Sequence, residues 1–317
     1  MTIEKNQALA DAPATDTNVL INMHCFAIFR NKRIDLATDQ LEVRIGAAVL
    51  YGHGVFTTLA IYDGQPFQWT KHWARLTEHA ERSRIDISTL SESRTLTQMC
   101  RLIKVNKVVD GRARLTLFGS SNDGDIGGAW SMKTSAKKQK TDLLIITGES
   151  RINNNKGLAL TCSPFRINTH SPLSGIKSLN YMEHILSMEE ARSRKFDEAV
   201  IVNQLGEIAS VSMANIFWVT KGTLYTPSLN TGCIRGTTRE LVIKLAGELA
   251  IPCSEGSFEM AALSEAEEIF LTSSGLGVAP VTSFDFRQYS TLAAAAAGSV
   301  GVRLRDAFRL SISCDLI

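Results

Sequence analysis

The chain has 317 residues, enough for two domains of ordinary size. A formal net charge of +2 supports neither nucleic acid nor an anionic membrane surface as a partner. Hydrophobic residues make up 44% and charged residues 21%, the balance of a chain with a packed core rather than a disordered one.

Residues 1–17 are polar, rich in Ala, Asp and Thr, and read as a disordered tail without the apolar stretch of a leader segment. No run of 18 apolar residues follows, so no membrane-spanning helix is expected. Residues 18–148 read as one α+β domain. Short strands over 25–30 and 32–36 flank Asn31, and a strand over 55–62 closes at Asp63-Gly64. Trp73, Leu76 and Ala80 recur at helical spacing within a helix over 70–84, and a second helix covers 91–109. Strands over 112–118 and 142–147 are separated by the Gly- and Lys-rich stretch 120–140, a loop.

The polar, Asn-rich segment 149–156 reads as a linker, and 157–317 as a second, larger α+β domain. A strand over 158–163 precedes a helix over 179–195. Strands over 199–203, 208–211 and 215–220 follow, and Lys221-Gly222 turns the chain into a strand over 223–226. A helix over 237–249 and a last core strand over 268–272 complete the pattern, and the Ala293–Ala297 run favours helix. Two α+β domains with a cleft between them offer the usual place for a cofactor. The six cysteines are widely spaced and form no CxxC pair, which argues against a metal site or a disulfide framework and for a reduced, cytoplasmic compartment.

Four segments carry candidate chemistry. In Gly175-Ile176-Lys177-Ser178-Leu179-Asn180-Tyr181, Lys177 precedes a helix among apolar neighbours. Burial and the helix dipole both favour its neutral amine, the form that attacks an aldehyde. Gly236-Thr237-Thr238-Arg239-Glu240 opens a helix, where free N–H groups and hydroxyls can cradle a phosphate; alternatively Thr237 and Glu240 form a capping box. Arg75, in His72-x-x-Arg75-Leu76, offers a planar fork to an anion. Thr272-Ser273-Ser274-Gly275 ends a strand in hydroxyl donors.

Taken in order, these segments resemble the class IV aminotransferases. The full series is Tyr51-Gly52-x-Gly54-Val55-Phe56-Thr57-Thr58, His72-x-x-Arg75-Leu76, Ile176-Lys177-Ser178-Leu179-Asn180, Ala214-Asn215-Ile216-Phe217, Gly236-Thr237-Thr238-Arg239 and Ser273-Ser274-Gly275. The resemblance implies a two-domain α+β fold of type IV, like D-amino-acid aminotransferase, with pyridoxal 5'-phosphate as cofactor and a homodimer as the working form. It implies that Lys177 joins the cofactor's aldehyde and later carries the Cα proton. It assigns the phosphate to Arg75, Thr237, Thr238 and Ser274, and places Tyr181 near the ring oxygen.

Phe56-Thr57-Thr58, the Ser171–Lys177 segment and Ala214-Asn215-Ile216-Phe217-Trp218 look like the aminodeoxychorismate lyase branch. That branch releases pyruvate from 4-amino-4-deoxychorismate to give 4-aminobenzoate for folate, and Thr57 would then touch the small amino substrate. Branched-chain and D-amino-acid aminotransferases are the alternative. The sequence departs from the family at Ser210, where the family has a glutamate facing the pyridine nitrogen. Glu207, three residues upstream, would point to the opposite face of a regular strand. The loss of that acid favours a lyase over an aminotransferase, or a cofactor-binding homologue with impaired catalysis. His53, where the family often has Asp, is expected to face solvent.

Overall fold

The computed structural model describes residues 28–30, 33–35, 47–119, 141–150, 157–289 and 298–315. The expected tail 1–17, the loop 120–140, most of the linker 149–156 and the alanine run lie outside these residues.

Two sheets organise the chain. The first has six strands in the order β2-β1-β6-β5-β3-β4: β1 (Ile28–Arg30), β2 (Arg33–Asp35), β3 (Gly54–Tyr62), β4 (Gln65–Pro66), β5 (Gly111–Gly119) and β6 (Thr141–Glu149). The short helix α1 (Ala47–Tyr51) leads into β3, whose full length pairs antiparallel with β5, Thr58 opposite Arg114. Helices α2 (Trp69–Arg82) and α3 (Glu92–Val105) cover one face. Leu76 and Ala80 of α2, and Met99, Leu102 and Ile103 of α3, pack on Leu59, Ile61, Leu115 and Leu117. Each such Leu, Ile or Met side chain, fully buried, contributes roughly 1.5–3 kcal/mol of transfer free energy.

The second sheet has nine strands. Its path is β12-β11-β10-β13-β14-β7-β8-β9, with β15 pairing β14. In chain order these are β7 (Leu158–Ile167), β8 (Glu198–Asn203), β9 (Ile208–Val211), β10 (Asn215–Thr220), β11 (Thr223–Pro227), β12 (Cys253–Gly256), β13 (Glu268–Ser273), β14 (Gly277–Phe284) and β15 (Arg287–Gln288). Helix α4 (Met182–Ser193) packs on β7 and β8. Helices α5 (Thr237–Glu248) and α7 (Val300–Asp315) cover the face built on Phe217, Phe270 and Val278, and α6 (Ala261–Ser264) closes the other through Leu263. β9 and β10 are buried nearly throughout. Phe67 of the first half meets Phe308 of α7 edge-on at 5.9 Å, joining the two halves through one apolar cluster.

Several expectations need correction. The strand over 268–272 is not the last of the core: β14 pairs antiparallel with β13 and parallel with β7. Pro280 within β14 weakens the local strand signal there, because proline donates nothing to a ladder. The helix expected over 179–195 starts later, at Met182, so Lys177 lies five residues before it and outside its first turn. The cap of α5 is Gly236, with Thr237 as the first helical residue and no side-chain cap bond, so no capping box forms.

Candidate active site

The motifs that lie far apart in sequence interlock in space. The Lys177 segment runs against the start of β3: Phe56 N–H donates to Lys177 O at 2.9 Å, Leu179 N–H to Gly54 O at 2.8 Å, and Val55 bridges Ser178. Gly52, at φ +65°, and Gly54 are required by this crossing. A Cβ on Gly52 would lie 2.5 Å from Asn180 Oδ1, and one on Gly54 would lie 2.5 Å from Leu179 Cδ1. Asn180 Nδ2 also donates to Gly52 O at 3.1 Å, so the Gly-x-Gly and Lys-Ser-Leu-Asn motifs form one contact.

Lys177 is partly buried, and its Nζ donates to Tyr181 Oη at 3.2 Å. The same Nζ lies 4.5 Å from the ring centres of both Phe56 and Tyr181. Burial, then Arg75, then Arg114 hold the Lys177 ammonium well below the usual lysine range. Lys177 lies five residues before α4, outside the turn over which a helix dipole acts. Burial also raises the Tyr181 phenol, with Glu198 adding to the rise. Tyr181 stacks on His184 at 4.3 Å and meets Phe56 edge-on at 5.3 Å. Burial and then Lys177 lower His184 to about 4. Arg114, on β5, places its guanidinium 3.7 Å over the Phe56 ring and has no carboxylate within ion-pair reach among the described residues.

A second cluster stands on α2. Arg75, 6% exposed, donates from Nη2 to Thr57 Oγ1 at 2.8 Å and from Nη1 to Arg235 O at 3.2 Å. Thr57 Oγ1 is 2.8 Å from His72 Nδ1, and His72 Nε2 is 3.1 Å from Thr237 Oγ1 and 3.3 Å from Ser274 Oγ. Because Arg75 only donates, Thr57 accepts from it and gives its own proton to His72 Nδ1; the imidazole proton then sits on Nε2. His72 is thereby neutral, and burial and Arg75 both lower its pKa well below the ordinary value. Thr237 and Ser274 can accept from Nε2, which leaves their hydroxyl protons to donate to an anion.

The N-terminus of α5 completes this cradle. Its first helical bond runs from Glu240 N–H to Gly236 O, so the N–H groups just before Glu240 have no partner inside the helix. Thr238 is buried in that first turn. Asn215, from the Asn-Ile-Phe motif on β10, holds the approaching loop by donating to Ile234 O at 3.0 Å. Arg235 pairs with Glu78 of α2 and with Glu240, the latter at 3.6 Å.

Among the described residues, the buried polar atoms without a hydrogen-bond partner include Arg75 Nε and His184 Nδ1, and also Ser210 Oγ on β9 and Thr272 Oγ1 on β13. An unpartnered buried donor costs about 1–3 kcal/mol. The unpartnered Arg75 Nε, next to the Thr57, Thr237 and Ser274 hydroxyls gathered around His72, fits a polar, anionic cofactor bearing a phosphate. Ser210 is 6% exposed on β9. The bulge that could have turned Glu207 inward does exist, since the β8–β9 register slips between Ile208 and Ser210. It does not bring Glu207 to Lys177. The Glu207 carboxylate accepts from Asn203 Nδ2 at 2.7 Å in the β8–β9 turn. His53 is not simply solvated: its Nε2 lies 3.0 Å from Ser83 O, at intermediate burial.

Lys177 and Tyr181 thus meet in one cluster, and Arg75, Thr57, Thr237 and Ser274 in a second beside it. Sequence reasoning missed His72, His79, Arg114 and His184. A signal for the first two was present. His72, Arg75, Glu78, His79 and Arg82 recur along one helical face, and each contacts the second half of the chain, Arg82 through Ser174 O at 2.9 Å.

Two sheets thus bring a buried lysine beside a cluster of guanidinium, imidazole and hydroxyl groups, an arrangement able to take a cofactor with an anionic group. The amino-transferase class IV profile matches residues 54–284, and the chain belongs to that family, whose cofactor is pyridoxal phosphate. It is similar to aminodeoxychorismate lyase of Bacillus subtilis, 28% identical over 270 residues, 83% of this chain and 88% of the relative. D-alanine aminotransferase of Listeria innocua is 26% identical over 269 residues, 79% of this chain and 87% of the relative. Among solved structures, branched-chain amino acid aminotransferase of Escherichia coli superposes with a TM-score of 0.78 at 25% identity, covering 90% of this chain and 93% of that one.

Proposed function

We propose that the chain is a pyridoxal-phosphate lyase that releases pyruvate from 4-amino-4-deoxychorismate and leaves 4-aminobenzoate. The observation that carries this reading is Ser210: a buried, unpartnered hydroxyl where the family resemblance puts a carboxylate. When bound, the cofactor supplies an aldehyde for an amine and a ring that draws electrons from the substrate carbon. A carboxylate beside the ring nitrogen would strengthen that pull; a neutral hydroxyl can only hydrogen-bond. Amino-group transfer depends on the pull more than elimination does, because in elimination a leaving group departs as the proton is removed.

The chain's own groups suit the remaining tasks. Arg75, Thr237, Thr238 and Ser274 would hold the phosphate. Lys177, its amine kept neutral by burial and two guanidiniums, would join the aldehyde and then carry a proton at the substrate carbon. Tyr181 accepts from that amine and limits its motion. Arg114 stands open to a substrate carboxylate across the Phe56 ring. Thr57, committed to Arg75 and His72, would act on the substrate only through them.

The similarity to D-alanine and branched-chain aminotransferases favours amino-group transfer as the second reading. The test is a loaded protein, checked for an absorbance band near the visible edge that moves on borohydride addition. Pyruvate release from 4-amino-4-deoxychorismate is then compared with keto-acid formation from D-alanine or leucine. Pyruvate release without amino transfer supports the lyase, the converse supports the aminotransferase, and a band with neither marks a cofactor-binding homologue. A homodimer is proposed as the working form, to be checked by sedimentation of the loaded chain.

A further inference from the structure

Lys177 is held at its main chain from two sides. Its carbonyl accepts from Phe56 N–H of β3 at 2.9 Å. Its own N–H donates to His79 Nδ1 of α2 at 3.0 Å. Nearby, Ile176 N–H donates to Leu173 O and Leu179 N–H to Gly54 O, both backbone carbonyls. At the lysine a side chain from the other half of the protein closes the bond instead.

His79 is built for that role. It is 2% exposed, so its ring cannot swing to solvent without unpacking the helix face. A ring nitrogen that accepts an amide proton must be unprotonated, which puts the imidazole proton on Nε2. The surroundings enforce this: burial first, and then Arg75, Arg82, Arg235 and Lys177, lower His79 to about 3. The acceptor is therefore constant across the range in which an enzyme works. His79 also lies four residues, or roughly 6 Å of helix rise, beyond Arg75 on the same face. One rigid helix therefore carries the guanidinium of the anion cradle and the acceptor that fixes the lysine's main chain.

We propose that His79 is a positioning residue for Lys177: its Nδ1 fixes the lysine backbone so that Nζ stands between Phe56 and Tyr181, at a set distance from the Arg75 cradle. A lysine stem is long and loses much rotamer freedom when ordered, so a fixed root is what makes its tip reproducible. The inference rests on the proposed role of Lys177, but the clamp has its own readout.

The test uses the full chain as parent, His79→Leu and His79→Asn. Leucine fills space without an acceptor, whereas asparagine Oδ1 can stand where Nδ1 stands. Exchange of the Lys177 amide with deuterium is measured first. The rate of borohydride-trapped adduct at Lys177, with pyridoxal 5'-phosphate as probe, is measured second. His79→Leu is expected to speed amide exchange and slow adduct formation by about ten-fold each, while His79→Asn stays within about three-fold of the parent on both. Unchanged amide exchange in His79→Leu would overturn the clamp. So would an asparagine variant as impaired as leucine with an equal fall in melting temperature, since the ring would then only fill space. If the parent itself forms no adduct at Lys177, the cofactor reading fails, and the amide exchange alone decides the clamp.

Discussion

Gly236 lies against Asn215 so closely that a Cβ at residue 236 would stand 2.1 Å from Asn215 Oδ1. Asn215 meanwhile holds Ile234 O, so the contact sets where α5 begins and where its free N–H groups point. Gly236→Ala is expected to destabilise the protein by about 1–3 kcal/mol, the cost of overpacking a fitted site. It is also expected to weaken pyridoxal phosphate binding. Thermal melts and a cofactor titration check both, and a variant with parental values would show that the loop yields freely.

Arg75→Ala is expected to weaken pyridoxal phosphate binding by roughly 1.5–3 kcal/mol, the scale of one charge-assisted hydrogen bond. Burial lowers Arg75 only to about 10, so the guanidinium remains charged near neutral pH. Fluorescence titration of parent and variant gives the difference. Equal affinities would assign Arg75 to packing alone.

Lys177→Ala is expected to abolish the covalent adduct while leaving phosphate affinity in place, because the cradle stands on other residues. Mass spectrometry after borohydride treatment reads the modified site. A label on another lysine in the parent would remove Lys177 from its proposed role.

The depressed Lys177 pKa sets two pH effects. An unfolded lysine titrates near about 10.4. Between the lowered folded value and that value the unfolded chain binds more protons, so this group's contribution makes stability rise with pH across the window and fall as pH drops through it. The neutral amine also persists to lower pH than an ordinary lysine allows. Arg114→Met removes one of the two cations that oppose the ammonium, so the Lys177 pKa rises. The acidic limb of adduct formation is then expected to move to higher pH. A limb that stays in place would show that burial and Arg75 suffice.

Ser210→Glu is expected to raise amino-group transfer relative to pyruvate release. A carboxylate beside the ring nitrogen stabilises charge that develops in the reaction more than it stabilises the resting state, and only that difference lowers a barrier. Glutamate is larger than serine, and strain of about 1–3 kcal/mol can mask the gain in either absolute rate. The measured quantity is therefore the ratio of the two activities. An unchanged ratio in a folded, loaded variant would place the nitrogen's partner elsewhere.

The sequence by itself determined the β9 and β10 strands, helices α2, α3 and α5, most of α4 and the order of motifs around Lys177, but not α7, the longest helix described. Those features depend on local apolar period and on residue types at short spacing. Tertiary structure decided what the polar side chains do. Thr237 turns to His72, 165 residues away, instead of capping its own helix; His79 reaches Lys177 across 98 residues; Glu207 stays with Asn203 even though a bulge intervenes. It also decided the β14 strand, where Pro280 made the local signal unfavourable but pairing on both sides outweighs it. Backbone propensity is a property of neighbours in the chain. The partner of a buried polar group is chosen by whichever donor or acceptor the fold brings within 3 Å, and no local pattern encodes that choice.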